Sequence, residues 1–401
     1  MLKKVTIENF FAYQTPTTIE LNPGVNLLLG INGSGKTCFI NALRLLYEGV
    51  VGKGLKNLID DTWGGVKNVI NISKEGTGKN YFKLTYVFSA EQVEKKLHAN
   101  FFKKNFAYVV KVKVKQDFDY SVEEYFMNTD DFSSEKPYYF INNVDGNGTL
   151  TVRDRSNKKI ISEKYCGDIK DKELIAHIPL DSRRYQPVFL LRKIVSEFSI
   201  YNYFNGDKVK NLVPHLSETR LLSDGSNLPY LLNYLKNNND DVFIKIENIL
   251  NNVNSQYSHI NFNYFASSLY LTLEEKGLNK NIGAKFLSDG TIQFLLMLSV
   301  FYNPERGAVV AVDEPERGLH PDMIKSVSEM IKSAAKNSQI IVATHSPLLL
   351  NQFDLEDIIV FEKNIHNVAS VRKYTEDEFS DDDDFLPGQL WLLGKIGGKR
   401  W

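Results

Sequence analysis

The segment GINGSGKT, residues 30–37, decides the fold of this 401-residue chain. It matches the phosphate-binding pattern GxxxxGK[ST], it follows an apolar run at Leu27–Leu29, and a predicted helix follows it. Glycines let such a loop curl until its backbone N–H groups point at a phosphate, beside the positive end of a helix. The segment therefore predicts a nucleotide-binding loop that follows a buried strand of an α/β sheet.

The side chains of this loop predict ATP and Mg²⁺ as its ligands. Lys36 is expected to reach the β- and γ-phosphate oxygens and to take part in catalysis, and the Thr37 hydroxyl is expected to ligate Mg²⁺. The nucleotide-binding residues predicted in this segment are Asn32, Gly33, Ser34, Gly35, Lys36, Thr37 and Cys38. The alternative, a glycine-rich turn without a ligand, is disfavoured because the loop lies between a strand and a helix.

A second apolar strand, AVVAVDE at residues 308–314, ends in two carboxylates. In open α/β sheets, ligands bind at the carboxyl ends of the strands. Asp313 is the predicted Mg²⁺ partner, acting through water, and Glu314 is the predicted general base that polarises the attacking water. The alternative is a strand that simply ends in a solvated acidic pair.

Two further segments are ambiguous when each is taken alone. LSDGTIQ, residues 287–293, precedes an apolar helix and by itself predicts only a capped helix start. The free N–H groups of such a start also suit a phosphate. QIIVATH, residues 339–345, is an apolar strand that ends in His345, and a lone histidine there is usually structural.

Together with PERGLHP at residues 315–321, these motifs in this order resemble those of ABC-type ATPases. The resemblance implies that two heads dimerise head to tail. The signature of one head, through Ser288 and Gly290, would then contact the γ-phosphate held by the P-loop of the other. It also implies that His345 is the switch histidine, a catalytic residue that hydrogen-bonds the γ-phosphate. We therefore expect a homodimer, or a higher oligomer, with composite ATP sites.

The segments LSDGT, DEPERGLHP and ATHSP resemble the RecF, SMC and overcoming-lysogenization-defect (OLD) branch of this superfamily rather than importer and exporter heads. Within it the chain is most similar to the compact AAA-type ATPases of bacterial anti-phage defence systems, through LLSDGSNLPYLL and NFFAYQTPTTIEL. The resemblance covers about residues 1–365 and is weakest between 75 and 215. It implies a sensor or regulator that controls a separately encoded effector, a nuclease.

Two departures from the branch shape this expectation. The chain has no long coiled-coil arm between its nucleotide-binding motifs, so it does not resemble a DNA-tethering SMC protein. It also ends soon after His345, too soon for the TOPRIM-type nuclease domain of OLD proteins. The alternatives are a RecF-like DNA-binding ATPase of repair and recombination, and the cytosolic ATPase of a transporter, which DEPERGLHP disfavours.

The predicted fold class is α/β: a P-loop NTPase of the ABC-ATPase head type, with a mixed sheet core, an antiparallel β subdomain and a helical signature subdomain. Alternation between about residues 81 and 154 predicts the antiparallel part. The expected head spans residues 1–365, divided into a P-loop lobe with the β insertion (1–175), a helical region (176–280) and a lobe with the signature, acidic strand and histidine (281–365). Residues 366–401 are an expected acidic linker and apolar tail.

Composition excludes several classes of protein. The formal net charge of −1 is unlike that of a strongly basic nucleic-acid binder. Cys38 and Cys166 lack the spacing of metal ligands. The start of the chain does not resemble a signal peptide, and no apolar stretch approaches the roughly 18 residues of a membrane span. A cytoplasmic protein without a membrane segment is therefore expected.

Four features remain open from the sequence. Lysines between Lys95 and Lys115 predict either a DNA-binding stripe or a solvated sheet face. Gln186 is either a Q-loop residue or a surface glutamine, and Tyr13 lies either near the adenine or in the core. The apolar tail with Trp391 and Trp401 either docks on the chain's own head or binds a partner.

Overall fold

The computed structural model describes residues 1–71, 78–97, 101–115, 119–128, 138–153, 160–164, 172–202, 204, 206–211, 213–214, 218–265, 268–364, 368–382 and 385–397. Cys166 and Trp401 lie outside the described residues, as do Asp383 and Asp384 of the acidic run.

The strands vary in length from two to nine residues. In chain order they are β1 (Leu2–Glu8), β2 (Thr17–Glu20), β3 (Val25–Leu29), β4 (Tyr81–Phe88), β5 (Phe106–Val114), β6 (Tyr120–Met127), β7 (Tyr139–Val144), β8 (Asn147–Arg153), β9 (Ile160–Lys164), β10 (Phe198–Tyr201), β11 (Val213–Pro214), β12 (Tyr257–Phe265), β13 (Ser268–Glu275), β14 (Ile282–Gly283), β15 (Val309–Asp313), β16 (Gln339–Thr344), β17 (Ile358–Lys363) and β18 (Ala369–Lys373).

The helices range from one turn to about four turns. They are α1 (Lys36–Val50), α2 (Ala90–Leu97), α3 (Gln186–Ser196), α4 (Gly206–Val209), α5 (Leu228–Asn238), α6 (Asp240–Val253), α7 (Asp289–Tyr302), α8 (Met323–Ala335), α9 (Pro347–Leu350) and α10 (Pro387–Leu392). In the part of the chain that the structure describes, no helix is long and apolar enough to cross a membrane.

The chain divides into two compact units, each built from three segments. The first comprises Met1–Pro23, Gly30–Phe198 and Val360–Arg372, and the second comprises Gly24–Leu29, Ser199–Ile359 and Lys373–Trp401.

The first unit contains an antiparallel sheet with the strand order β2-β1-β4-β5-β6-β7-β8-β9. The N-terminal hairpin β1-β2 belongs to this sheet, because β1 pairs with β4 from Leu2↔Phe88 to Glu8↔Lys83. The insertion predicted from the alternating pattern therefore extends a sheet that the hairpin begins. The sheet packs on α1, where the hydroxyl of the fully buried Tyr86 donates to Ala42 O at 2.6 Å.

A buried carboxylate connects this sheet to the rest of the first unit. Glu124 on β6 accepts hydrogen bonds from Tyr108 Oη at 2.8 Å, Ile175 N at 2.5 Å and Ala176 N at 3.1 Å. Burial raises the pKa of Glu124 to about 7, although these donors oppose the rise.

Arg192 on α3 donates to Ala176 O at 2.7 Å and to Val50 O at 2.8 Å. The carboxyl end of α1 is thereby fixed to α3 and to the turn beside Glu124.

The second unit contains the parallel part of the fold. Its strands follow the order β10-β15-β16-β3, with β15, β16 and β3 parallel. Every residue of β3 and β16 is buried, as expected for strands covered on both faces. The register pairs Asp313 with Ala343 and Thr344 with Leu29, so the three strands end at one edge. The predicted α/β fold is confirmed, and this edge carries the candidate site.

The apolar tail docks within the second unit. Trp391 on α10 is 6% exposed, and Gly388 N donates to Asn351 Oδ1 at 2.8 Å just after α9. A side chain at Gly388 would meet Pro347 O at 2.2 Å, so only glycine permits this approach. Of the two interpretations left open for the tail, docking on the chain's own head holds for its described part. The acidic run begins in 3₁₀ turns at Glu376–Asp382.

Candidate functional site

The P-loop, residues 30–37, lies in the first unit and begins directly after β3 in the chain. Two of its glycines have positive φ angles, 78° at Gly33 and 112° at Gly35, which other residues adopt only with strain. Gly35 is the N-cap of α1, and no side chain of the described residues caps this helix start. The first N–H groups of an α-helix have no partner within the helix itself, so a helix start of this kind can serve an anion.

Lys36 folds back over the loop that precedes it. Its side chain is nearly buried, and Nζ donates to Gly30 O at 2.5 Å and to Ile31 O at 3.1 Å. Ser34 Oγ is buried and has no hydrogen-bond partner among the described residues. A buried hydroxyl without a hydrogen-bond partner destabilises the fold unless a ligand bonds to it, and a phosphate oxygen would accept such a bond. The loop thus fits the phosphates of ATP.

Tyr13 supports the loop from the core. It is fully buried, and its hydroxyl donates to Gly35 O at 3.0 Å. Burial raises the pKa of Tyr13 well above its ordinary value, so it stays a neutral donor. The structure thus favours the core interpretation of Tyr13 over a position beside the adenine. Burial also raises the pKa of the Cys38 thiol in the first turn of α1, which makes the thiol a poor nucleophile.

The acidic strand end lies in the second unit and has a strained backbone. Asp313 is the last residue of β15, and Glu314 follows with a φ of 49°, rare for a residue with a long side chain. The Glu314 N–H donates to Ala343 O at 2.8 Å, which holds this conformation against β16. Backbone strain of this kind costs about 1–3 kcal/mol and is concentrated at functional sites.

His345 lies beside Glu314. Its Nδ1 atom is 3.2 Å from Glu314 Oε1, and its side chain is about half exposed. A histidine and a carboxylate in contact at the end of two neighbouring parallel strands can together orient a water molecule. The carboxylate of Asp313 is an oxygen donor of the type that Mg²⁺ prefers. The predicted residues Asp313, Glu314 and His345 are thus brought together by the structure.

The predicted signature residues start α7, in the same unit. Ser288 is the N-cap, and its Oγ accepts from Thr291 N at 3.1 Å. Ser288 and Asp289 are exposed, and Asp289 pairs with Lys210 Nζ at 2.5 Å. This pairing offsets a negative charge that would otherwise repel an anion from the helix start. Sequence reasoning missed Lys210, because it lies 79 residues before Asp289.

A cavity of about 420 Å³ joins the helix start to the acidic strand end. Its lining includes Asp289 and Gln293 of α7, Asp313 and Glu314 of the strand end, and Arg317 of the turn that follows. Water in this cavity therefore has access to the predicted general base. Gln293 donates weakly to Pro315 O at 3.5 Å, a role that its place in LSDGTIQ did not indicate.

Gly290 is required by close packing against the turn after β15. A side chain at this position would meet Gly318 O at 2.7 Å. We expect Gly290→Ala to lower the free energy of unfolding by about 1–3 kcal/mol, because neither backbone can yield easily. Thermal unfolding of the purified variant measures this. Gly24→Ala in the same unit is the control, since a side chain there meets nothing within 4 Å. Equal melting temperatures would show that the two segments do not pack this closely.

Two lysines of the predicted stripe, Lys111 and Lys113 on β5, are paired with acidic residues. Lys111 Nζ lies 3.1 Å from Glu123 Oε2, and Lys113 pairs with Glu123 and lies 3.9 Å from Asp145 Oδ2. Burial alone would raise the pKa of Glu123, but the two ammonium groups outweigh it and hold this pKa below its ordinary value. Two acidic residues thus compensate two lysines of the stripe. The geometry favours a solvated sheet face over a DNA-binding surface.

Gln186 is the first residue of α3, followed by Pro187 in the first turn, and it is half-buried in the first unit. None of its described hydrogen bonds involves a P-loop residue. The structure therefore does not assign it the role of a Q-loop residue.

A phosphate loop after one strand of a parallel sheet, with a carboxylate pair and a histidine at the ends of the neighbouring strands, defines a P-loop ATPase. A family model described as "AAA domain, putative AbiEii toxin, Type IV TA system" matches residues 25–351, and the chain belongs to this family. No curated protein matches the chain.

Solved structures show the same fold. An SMC head bound to the C-winged-helix domain of ScpA has a TM-score of 0.58 and 15% identity, covering 95% of this chain and 99% of that one. An SMC head with an extended coiled coil, bound to the C-terminal domain of ScpA from Pyrococcus furiosus, has a TM-score of 0.57 and 13% identity, covering 96% and 98%. The predicted relation to an AAA-type ATPase family is confirmed by the family model, and the SMC heads confirm the predicted fold.

Proposed function

We propose that this chain binds and hydrolyses ATP with Mg²⁺ in sites shared between two copies of itself. Its nucleotide state then controls a separately encoded effector, a nuclease, in bacterial anti-phage defence. The observation that carries the ATPase part is the common edge of β3, β15 and β16. The P-loop follows the first of these strands, Asp313 and Glu314 end the second, and His345 follows the third.

Each residue has a role that its surroundings support. Lys36 and the N–H groups at the start of α1 bind phosphate oxygens, and the Ser34 hydroxyl gains a partner, which it lacks among the residues that the structure describes. The Thr37 hydroxyl and the Asp313 carboxylate are each proposed as Mg²⁺ ligands because both offer the oxygen atoms that this ion prefers, and Mg²⁺ neutralises phosphate charge when bound. Glu314 takes a proton from the attacking water, while His345 fixes the direction of its carboxylate at 3.2 Å.

The shared site is supported by the start of α7. Ser288 is exposed at this start, and Lys210 compensates the charge of Asp289. This arrangement suits a γ-phosphate presented by another molecule. A second copy of the chain is the source that we propose, because a twofold axis would give two equivalent sites, each combining the signature of one copy with the P-loop of the other.

The defence role is supported by the family itself, whose description names a toxin of a Type IV TA system. The test is to express the tagged chain with its native neighbouring genes and to purify it with and without ATP. We expect a second chain with nuclease activity to co-purify in an amount that depends on ATP. In Lys36→Met the dependence on ATP should disappear. If no neighbouring gene product co-purifies in either state, the regulatory role is wrong and the ATPase assignment is unaffected.

A RecF-like DNA-binding ATPase is the second candidate function. The pairing of Lys111 and Lys113 with Glu123 argues against it. Charge reversal at these two lysines should therefore leave DNA binding unchanged in a gel-shift titration. A large loss of affinity would revive the repair role.

A further inference from the structure

Glu316 is a half-buried residue in the turn after β15, and it has no part in the roles proposed for Asp313, Glu314 and His345. Its Oε1 accepts from Thr344 Oγ1 at 2.6 Å and from the backbone N–H of His345 at 3.2 Å. Thr344 Oγ1 in turn accepts from Ser346 N at 3.0 Å. A single carboxylate thus fixes the backbone on which the imidazole of His345 is carried.

The other oxygen of Glu316 makes this arrangement costly. Oε2 is shielded from solvent and has no hydrogen-bond partner among the residues that the structure describes. Burial raises the pKa of Glu316, which shows how poorly the site tolerates its charge. A buried polar atom without a hydrogen-bond partner destabilises the fold, and more so when it carries charge. A carboxylate held at such a cost is expected where the precise orientation of a neighbouring group matters for function.

The turn that contains Glu316 also contacts the start of α7. Leu319 N donates to Glu316 O at 3.1 Å, and Arg317 N donates to Glu314 O at 3.0 Å, so the turn is internally bonded. Its Gly318 carbonyl lies where a side chain at Gly290 would clash, at 2.7 Å. Contacts therefore run without a gap from Gly290 through this turn to the backbone of His345.

We propose that Glu316 is a positioning residue, which orients His345 toward Glu314 and ties that orientation to the turn against which the signature packs. It acts through His345 and does not itself touch the nucleotide. This inference rests on the proposed ATPase function, and it adds to it a link between the signature and the catalytic pair. A displacement of the α7 start, as when a second copy engages Ser288, would then be transmitted to the imidazole.

The test is a double-mutant cycle between Glu316→Gln and His345→Ala. Alone, Glu316→Gln should lower the kcat of ATP hydrolysis roughly 10- to 100-fold with an unchanged KM, the effect of a small misplacement of a catalytic group. In the His345→Ala background it should have no further effect, because the residue through which it acts is gone. Glu247→Gln is the control, since that carboxylate also accepts a backbone N–H, from Ile260 at 2.7 Å, in the same unit.

A second readout needs no nucleotide. In the protein labelled with ¹⁵N-histidine, the imidazole signal of His345 is identified by its loss in His345→Ala. It should shift in Glu316→Gln and not in Glu247→Gln. Thr344→Val keeps the side-chain shape and removes the donor to Glu316. It replaces Glu316→Gln if that variant does not fold, and the His345 signal should shift in it as well.

The outcomes separate the two claims. If His345→Ala leaves hydrolysis unchanged, the proposed role of His345 is wrong, whatever Glu316 does. If His345→Ala lowers hydrolysis and the effects of the two substitutions multiply, Glu316 acts by another route and the inference is overturned. An unchanged His345 signal in both Glu316→Gln and Thr344→Val would overturn it equally.

Discussion

Replacing Glu314 with glutamine should lower ATP hydrolysis about 10²- to 10⁴-fold and leave ATP binding intact. Glutamine keeps the size of the side chain and can still contact His345, whose Nδ1 lies 3.2 Å from the native Oε1. It cannot accept the proton of the attacking water. Single-turnover hydrolysis measures the first effect, and binding of a fluorescent ATP analogue measures the second.

The same variant should accumulate as an ATP-bound dimer, because in the proposed mechanism ATP closes the dimer and hydrolysis opens it. Gel filtration with light scattering in ATP and in ADP detects this. Glu247→Gln should behave like the unaltered chain, since Glu247, which accepts a backbone N–H from Ile260 and lies 3.6 Å from His259 Nδ1, has no part in the proposed ATP site. A Glu314→Gln protein that hydrolyses ATP at nearly the normal rate would exclude Glu314 as the general base.

Replacing Lys36 with methionine should weaken ATP binding about 10- to 100-fold. A hydrogen bond to a charged group contributes about 1.5–3 kcal/mol, which corresponds to this loss of affinity. The variant also loses the bonds from Nζ to Gly30 O and Ile31 O that hold the loop curled. Hydrolysis should fall further than binding, because the ammonium group also stabilises charge in the transition state.

Isothermal titration with ATP measures this affinity directly. Lys56→Met, which removes an exposed lysine of the same unit, is the matched control for the change in charge. Equal ATP affinity in Lys36→Met and Lys56→Met would mean that this loop does not hold the phosphates. Thermal unfolding of both variants without nucleotide shows whether the fold itself has been affected.

Much of the fold could be predicted because its signals are local. The P-loop pattern, the apolar strand before it and the helix after it lie within about twenty residues, and each has its own sequence signature. The start of α7 at Ser288 was equally predictable, since a serine before an apolar run is a preferred helix cap. The acidic strand end needed only a buried strand and two carboxylates.

The features that sequence reasoning missed depend on distant pairings. The register of β5 with β6 brings Glu123 against Lys111 and Lys113, and the spacing of the lysines alone gives no sign of that partner. The docking of Trp391 depends on Asn351 and on the absence of a side chain at Gly388. The positive φ of Glu314 depends on Ala343 in the neighbouring strand.

Glu316 illustrates the same limit within the site. It lies in PERGLHP, one of the motifs that resemble those of ABC-type ATPases, yet its partners Thr344 and His345 lie at the end of another strand, 28 and 29 residues later. A buried carboxylate with one unsatisfied oxygen is visible only when both strands are in place. Its proposed role therefore comes from the structure.

Mixing two inactive variants tests most directly whether two copies of the chain share each ATP site. Lys36→Met has an intact signature, and Ser288→Arg has an intact P-loop. Each alone should hydrolyse little ATP. Mixed in equal amounts, they should recover up to about one quarter of normal activity, because half of the randomly paired dimers contain one complete site of two. The control is a mixture of Lys36→Met with a variant that carries both Lys36→Met and Ser288→Arg. Recovery only in the first mixture is the predicted result, and no recovery in either mixture would contradict the shared site.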